Sequence, residues 1–129
     1  MLEKGIKGTL ESIVTKENTA KAMGSGELDV YATPAMIALM EETAYKSVAS
    51  ELDAGSGSVG TLMSVKHVAA SPVGMKITCQ SELESVEGRK LTFKVEAYDE
   101  AGLIGEGTHE RFIIVNSKFQ EKADKKLAL

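Results

Sequence analysis

The chain has one cysteine, Cys79, no tryptophan, and only three phenylalanines and three tyrosines in 129 residues. A single thiol excludes an internal disulfide framework and any cysteine-rich zinc site. So few aromatic rings leave little for bases to stack on, which argues against binding of single-stranded nucleic acid. Positive charge is also in deficit: 15 Lys and Arg against 19 Asp and Glu leave a net charge of −4. Phosphate backbones demand a concentrated positive patch, so nucleic acid is not an expected partner. The longest uninterrupted apolar run is Ala35-Met36-Ile37-Ala38-Leu39-Met40. That is far short of the ~20 residues of a membrane helix, so no membrane partner is expected. The opening Met1-Leu2-Glu3-Lys4-Gly5 has no charged-then-apolar signal pattern, and a cytoplasmic location is the corresponding expectation.

What is present is an ordinary globular composition, 43% hydrophobic and 26% charged. One domain over 1–129 is expected, long enough to bury roughly two-thirds of its unfolded surface. The segment from Gly8 to Thr15 alternates loosely and reads as a first strand. Asn18 to Asp29 holds Gly24-Ser25-Gly26 and few large apolar residues, and reads as a long loop. Thr33-Pro34 then spells a helix start, with Thr33 at the N-cap and Pro34 at the first helical position. The helix should run to about Glu51 or Leu52. Its first turns are apolar nearly all round and should be buried.

Four strands are expected next. Val59 to Ala69 places Val59, Thr61, Met63, Val65 and His67 on one face. Met75 to Val86 follows a turn at Ser71-Pro72-Val73-Gly74. Lys90 to Asp99 puts Leu91, Phe93, Val95 and Ala97 on one face, and Leu103 to Asn116 closes the set. Short turns between them imply an antiparallel meander. The tail from Ser117 to Leu129 is rich in Lys and Glu and should be solvated or frayed. One helix and about five strands give an α+β fold, a curved antiparallel sheet wrapped on a central helix, the arrangement called a hotdog. A single such layer leaves apolar surface and a strand edge uncovered, which points to a twofold homodimer, or a tetramer built on it.

Polar residues in apolar surroundings are the informative ones. Thr33, Glu41 and His67 stand out. Each has a plain reading: a helix cap, the point where the helix reaches solvent, and a hydrogen-bonded core histidine. Each also has a chemical one. A His on a half-buried strand can act as general base near neutral pH. A carboxylate can orient that ring or attack a carbonyl. A hydroxyl at a helix start can position water or serve as nucleophile, while backbone N–H groups there and at Gly60 can hold an oxyanion. Together they suit hydrolysis of an activated acyl group. Thr33 and Glu41, however, lie eight residues apart. On a straight helix that is ~12 Å of rise and about 80° of rotation, so their side chains do not meet. A kinked helix start or a group from a twofold partner would be needed.

Other signals are weaker. His109 and Arg111 sit among carboxylates in Gly105-Glu106-Gly107-Thr108-His109-Glu110-Arg111. They are either a polar cluster holding Arg111 or a place where Arg111 grips a phosphate or acyl oxygen. His67 and His109 have no metal-ligand spacing, so no metal is expected. The glycines around Ser56 match no phosphate loop. Cys79 and the pair Met36 and Met40 read as core.

The stretch from Ala32 to Glu41 resembles the helix-start motif of the fluoroacetyl-CoA thioesterase-like family of hotdog proteins. The likeness continues through Ser58-Val59-Gly60-Thr61, Val65 to Pro72, Glu84 to Leu91 and Ile104 to Arg111. It implies an acyl-CoA thioester hydrolase with no cofactor beyond the CoA of its substrate. The family's Thr, Glu and His fall on Thr33, Glu41 and His67. Its strand glycine, near the acyl and pantetheine portion of the ligand, falls on Gly60, and its last-strand arginine, also expected at the substrate site, on Arg111. The loop before the helix should set acyl preference. From Asn18 to Asp29 it holds no aromatic residue, so a phenylalanine lid is not visible and a general small or medium acyl-CoA is the expected substrate. The alternatives are a module that binds acyl-CoA without cleaving it, a hotdog hydratase or dehydratase, and a purely structural oligomer.

Overall fold

The computed structural model describes residues 1–128; Leu129, the end of the expected tail, lies outside the described residues. In chain order the elements are β1 (Lys7–Ile13), α1 (Ala20–Met23), α2 (Thr33–Val48), β2 (Ser56–His67), β3 (Lys76–Glu87), β4 (Lys90–Asp99), β5 (Gly102–Val115) and α3 (Asn116–Asp124). Five antiparallel strands form one sheet in the order β1-β3-β4-β5-β2. The helix α2 packs along its inner face. Among the described residues no helix is long and apolar enough to cross a membrane.

The helix owes its seat to spacing. Met36, Leu39, Met40, Thr43, Ala44 and Val48 are its buried residues, at the i, i+3, i+4, i+7, i+8 and i+12 positions of one stripe. Facing them, Leu91, Phe93, Val95 and Ala97 of β4 are fully buried, on one face as their alternation requires. The first turns of α2 are not buried all round. Thr33, Pro34 and Ala38 are exposed, because 100° per residue turns them away from the sheet. The helix ends at Val48 and a single 3₁₀ turn, Ala49–Glu51, carries the chain to the expected boundary.

Four further expectations are corrected. The strands are not a simple meander: β2 pairs with β5, at the far side of the sheet from β3. The Ser71-Pro72 segment read as a hairpin turn is a crossing connection. It is stitched to the chain before α2 by a bridge between Val30 and Pro72 and by the Tyr31 N–H donating to the Ser71 carbonyl at 2.8 Å. The segment from Asn18 to Asp29 is not all loop, since Thr19 caps α1 by accepting from the Ala22 N–H at 3.1 Å. Gly24 ends that turn at φ 73°, a left-handed conformation that favours glycine. The tail is helical rather than frayed, although every residue from 116 to 128 is exposed.

The β2–β5 contact is close at Gly107. A Cβ there would run into the Ser64 carbonyl oxygen and stand 2.6 Å from the Val65 Cα, both backbone. Backbone cannot yield as a side chain does. Gly107→Ala is therefore expected to destabilise the fold by about 2 kcal/mol, read as a lower denaturant midpoint at unchanged slope.

Candidate active site

Thr33 and His67 come together from opposite parts of the chain. Thr33 is the first residue of α2; the cap position belongs to Ala32, which makes no side-chain capping bond. The threonine hydroxyl is turned instead to the end of β2, where Oγ1 lies 2.8 Å from His67 Nδ1. With the hydroxyl donating, Nδ1 offers its lone pair and Nε2 carries the ring proton. Nε2 is buried without a hydrogen-bond partner among the described residues. Burial holds the His67 pKa below the usual imidazole range, with the Ala69 backbone opposing the shift. The ring is thus neutral at pH 7, the state a general base requires. Tyr31 stands edge-on to it, ring centroids 6.5 Å apart. A cleft of about 280 Å³ opens beside the pair, lined by Ala20 and Ser25 of the loop before α2 and by Val68 to Ala70. Open space beside the imidazole is the opposite of what a purely structural oligomer would leave there.

Glu41 belongs to a second cluster. A bulge in β2 creates it, because the pairing slips between Gly60 and Leu62 and two residues there oppose one. Before the slip Ser58 and Gly60 face the helix; after it Met63, Val65 and His67 do. Val59 and Thr61 do not share the His67 face, contrary to the period-2 reading of the strand. Gly60 pairs with Arg111 and Met63 with His109, which brings those two β5 side chains under α2. Arg111 is 6% exposed. Its Nε donates to Ser58 Oγ and its Nη2 to the Ser58 carbonyl, both at 2.7 Å. Its Nη1 donates to His109 Nε2 at 3.1 Å and lies 3.7 Å from Glu41 Oε2. His109 in turn donates from Nδ1 to the Leu62 carbonyl at 2.8 Å. Burial keeps His109 below its ordinary pKa; the bond to Leu62 opposes this and the Arg111 charge adds to it. A neutral imidazole with its proton on Nδ1 is what lets Nε2 accept from the arginine.

Arg111 is thus held to the protein through Nε, Nη1 and Nη2, and Nη1 also faces Glu41. Among the described residues Glu41 makes no bond to Thr33 or His67, in keeping with their separation along α2. One chain brings the alcohol to the imidazole but leaves the carboxylate apart. Ser58 and Tyr45, whose ring lies 5.5 Å from the Arg111 guanidinium carbon, were not legible as site neighbours. Only the i, i+2 spacing of His109 and Arg111 hinted at a shared face.

Gly60 leaves room for the carboxylate. A Cβ at that position would sit 2.6 Å from Glu41 Oε2 and 3.2 Å from His109 Cε1. The nearest atom is the end of a flexible side chain, so the fold can adapt while Glu41 is pushed from Arg111. Gly60→Ala is expected to keep its melting temperature within a few degrees yet lose about tenfold or more in kcat. Equal losses in both would mean that the glycine serves the fold alone.

Known proteins share this fold. The family model described as fluoroacetyl-CoA-specific thioesterase matches residues 14–117. A fluoroacetyl-CoA thioesterase of Streptantibioticus cattleyicolor is 45% identical over 98 residues, which are 76% of this chain and 70% of that protein. A solved structure of the fluoroacetyl-CoA thioesterase FlK superposes with a TM-score of 0.92 at 38% identity, covering 98% of both chains. A hot-dog-like protein from Thermanaerovibrio acidaminovorans, 20% identical, shares the fold at a TM-score of 0.87, over 97% of this chain and 93% of its own. With the hotdog architecture, the matched span and these relatives in agreement, the chain belongs to the fluoroacetyl-CoA-specific thioesterase family and is a thioester hydrolase.

Proposed function

We propose that the protein hydrolyses the thioester of a small or medium acyl-CoA to the free acid and CoA, acting as a homodimer with its sites between the protomers. The hydrogen bond from Thr33 to His67 at the mouth of an open cleft carries this reading. The carbonyl carbon sits beside that pair, its oxygen towards the first turn of α2. There the Thr33 and Ala35 N–H groups have no partner one turn back, and Pro34 has no N–H at all. His67 withdraws a proton from the attacking water or from Thr33. A C–O bond forms, the C–S bond breaks, and the proton returns from the imidazolium to the CoA sulfur. Where Thr33 is the attacking group, water then adds to the acyl-Thr33 ester with His67 again taking its proton, the ester C–O bond breaks, and the proton returns to Thr33 Oγ1. No cofactor takes part beyond the CoA that the substrate brings. The loop from Asn18 to Asp29 walls the cleft with Ala20 and Ser25 rather than an aromatic lid, which suits a general short acyl group.

The dimer follows from the unfinished edge. β2 is the last strand of the sheet, with one row of backbone donors and acceptors unpaired. Pairing two β2 strands about a twofold axis at mid-strand extends the sheet and reverses direction across the axis. Gly60, the neighbour of Glu41, is seven residues from its own His67, about 23 Å of strand; across such an axis it faces a partner residue only about 13 Å of strand from the partner's His67. The exposed helix face at Pro34 and Ala38 is covered in the same step. Glu41 is thereby supplied in trans. The test is free-thiol release from acyl-CoA thioesters graded by chain length. Thiol from the short and medium members is expected, and its absence from all of them would refute the proposal.

A further inference from the structure

His109 is the histidine that the proposed chemistry leaves unused, and it is 1% exposed. Its ring stacks on Phe93, centroids 6.1 Å apart at 28°, and both ring nitrogens are taken. Nδ1 meets the Leu62 carbonyl at 2.8 Å and Nε2 meets Arg111 Nη1 at 3.1 Å. A carbonyl can only accept and a guanidinium can only donate, so the two partners fix the tautomer between them. The Nε2 lone pair is thereby held towards Arg111. The fork of the guanidinium, Nε and Nη2, is anchored on Ser58 at 2.7 Å. That leaves Nη1 between His109 and Glu41. Its contact with Glu41 Oε2 is 3.7 Å, well beyond the ~2.8 Å of a charge-assisted hydrogen bond. The imidazole is the nearer partner. Without an acceptor at Nε2, a buried Nη1 is left short of a bond. The carboxylate beside it, at the end of a flexible side chain, would then close into a full ion pair. Its lone pairs would be spent on the arginine instead of on a carbonyl or a water.

We infer that His109 is a positioning residue, whose Nε2 accepts from Arg111 Nη1 and so keeps Glu41 loosely paired and free to react. The inference rests on the reading that places Glu41 in the hydrolytic site. The imidazole touches no substrate and moves no proton; it acts through Arg111 on the carboxylate, as a supporting hydrogen bond behind a reactive group.

The two halves of the ring can be removed separately, because an asparagine amide reaches the place of Nδ1 and a glutamine amide that of Nε2. His109→Gln keeps an acceptor for Arg111; His109→Asn keeps only a donor for Leu62. Both are made in the wild type and in Glu41→Gln, and kcat and KM are measured on whichever of acetyl-, butanoyl- and hexanoyl-CoA the wild type turns over fastest. With Glu41 present, His109→Asn is expected to lower kcat by about 10- to 100-fold at a KM within about twofold. His109→Gln should recover kcat to within about fivefold of the wild type. In the Glu41→Gln background, His109→Asn should cost less than about a further twofold, since the group it acts through is already gone. An unfolded fraction lowers kcat in both backgrounds alike and cancels from that comparison. An equal loss in both backgrounds, or a glutamine variant no faster than the asparagine one, assigns His109 to packing and overturns the inference with the hydrolase reading intact. Wild-type turnover in Glu41→Gln alone refutes the placement of Glu41 and the inference with it. No hydrolysis of any of the three thioesters by the wild type removes the acyl-CoA reading as well.

Discussion

Replacing His67 by alanine is expected to slow hydrolysis of a short acyl-CoA by about 10²–10⁴-fold, the range for loss of a general base. The substituted position is at the end of β2 beside an open cleft, so the fold should survive. The pH profile carries the same information. Burial lowers the folded-state pKa of His67, and only the neutral ring accepts a proton. Activity should hold at neutrality and fall as the pH drops through a value below the usual imidazole 6.5. In the alanine variant that acid limb should disappear. Wild-type turnover in His67→Ala would remove the imidazole from the mechanism.

Replacing Glu41 by glutamine is expected to cost about 100-fold or more while leaving the melting temperature nearly unchanged. The carboxylate is half exposed and its one ionic partner among the described residues, Arg111 at 3.7 Å, keeps its bonds to Ser58 and His109 without it. The loss should therefore be chemical rather than structural. A single turnover in ¹⁸O-water then separates its two roles. Label entering the enzyme at Glu41 marks attack and a mixed anhydride cleaved at the glutamyl carbon; label confined to the product acid marks addition of water to the acyl carbon. A variant as active as the wild type would place Glu41 outside the chemistry.

Much of this architecture was legible because it rests on local patterns. The Thr33-Pro34 helix start, the apolar run from Ala35 to Met40 that marks a packed helix, and the alternation of β4 each lie within one element. What was not legible depends on slips and crossings. Nothing in Val59-Gly60-Thr61-Leu62 spells a bulge, yet that bulge moves Gly60 and Ser58 to the helix side and sends Val59 and Thr61 outward. The crossing from β2 to β3 carries the same Pro-Gly signals as a tight turn, so strand order was hidden. Thr33 reads as a cap because capping is the commonest use of a threonine before proline; here the His67 ring outcompetes the backbone for its hydroxyl. The spacing of Thr33 and Glu41 did carry over. It foretold that one straight helix holds them apart, and the carboxylate indeed sits with Arg111.

The most direct test mixes two inactive variants. Glu41→Ala and His67→Ala are unfolded together, refolded and assayed for CoA release. If each site takes Thr33 and His67 from one protomer and Glu41 from the other, mixed dimers carry one intact site. Activity should then recover to about a quarter of the wild type, since half the dimers are mixed and half their sites are whole. A mixture as inactive as its parents, in dimers shown to have exchanged, would contradict a site built across the twofold axis.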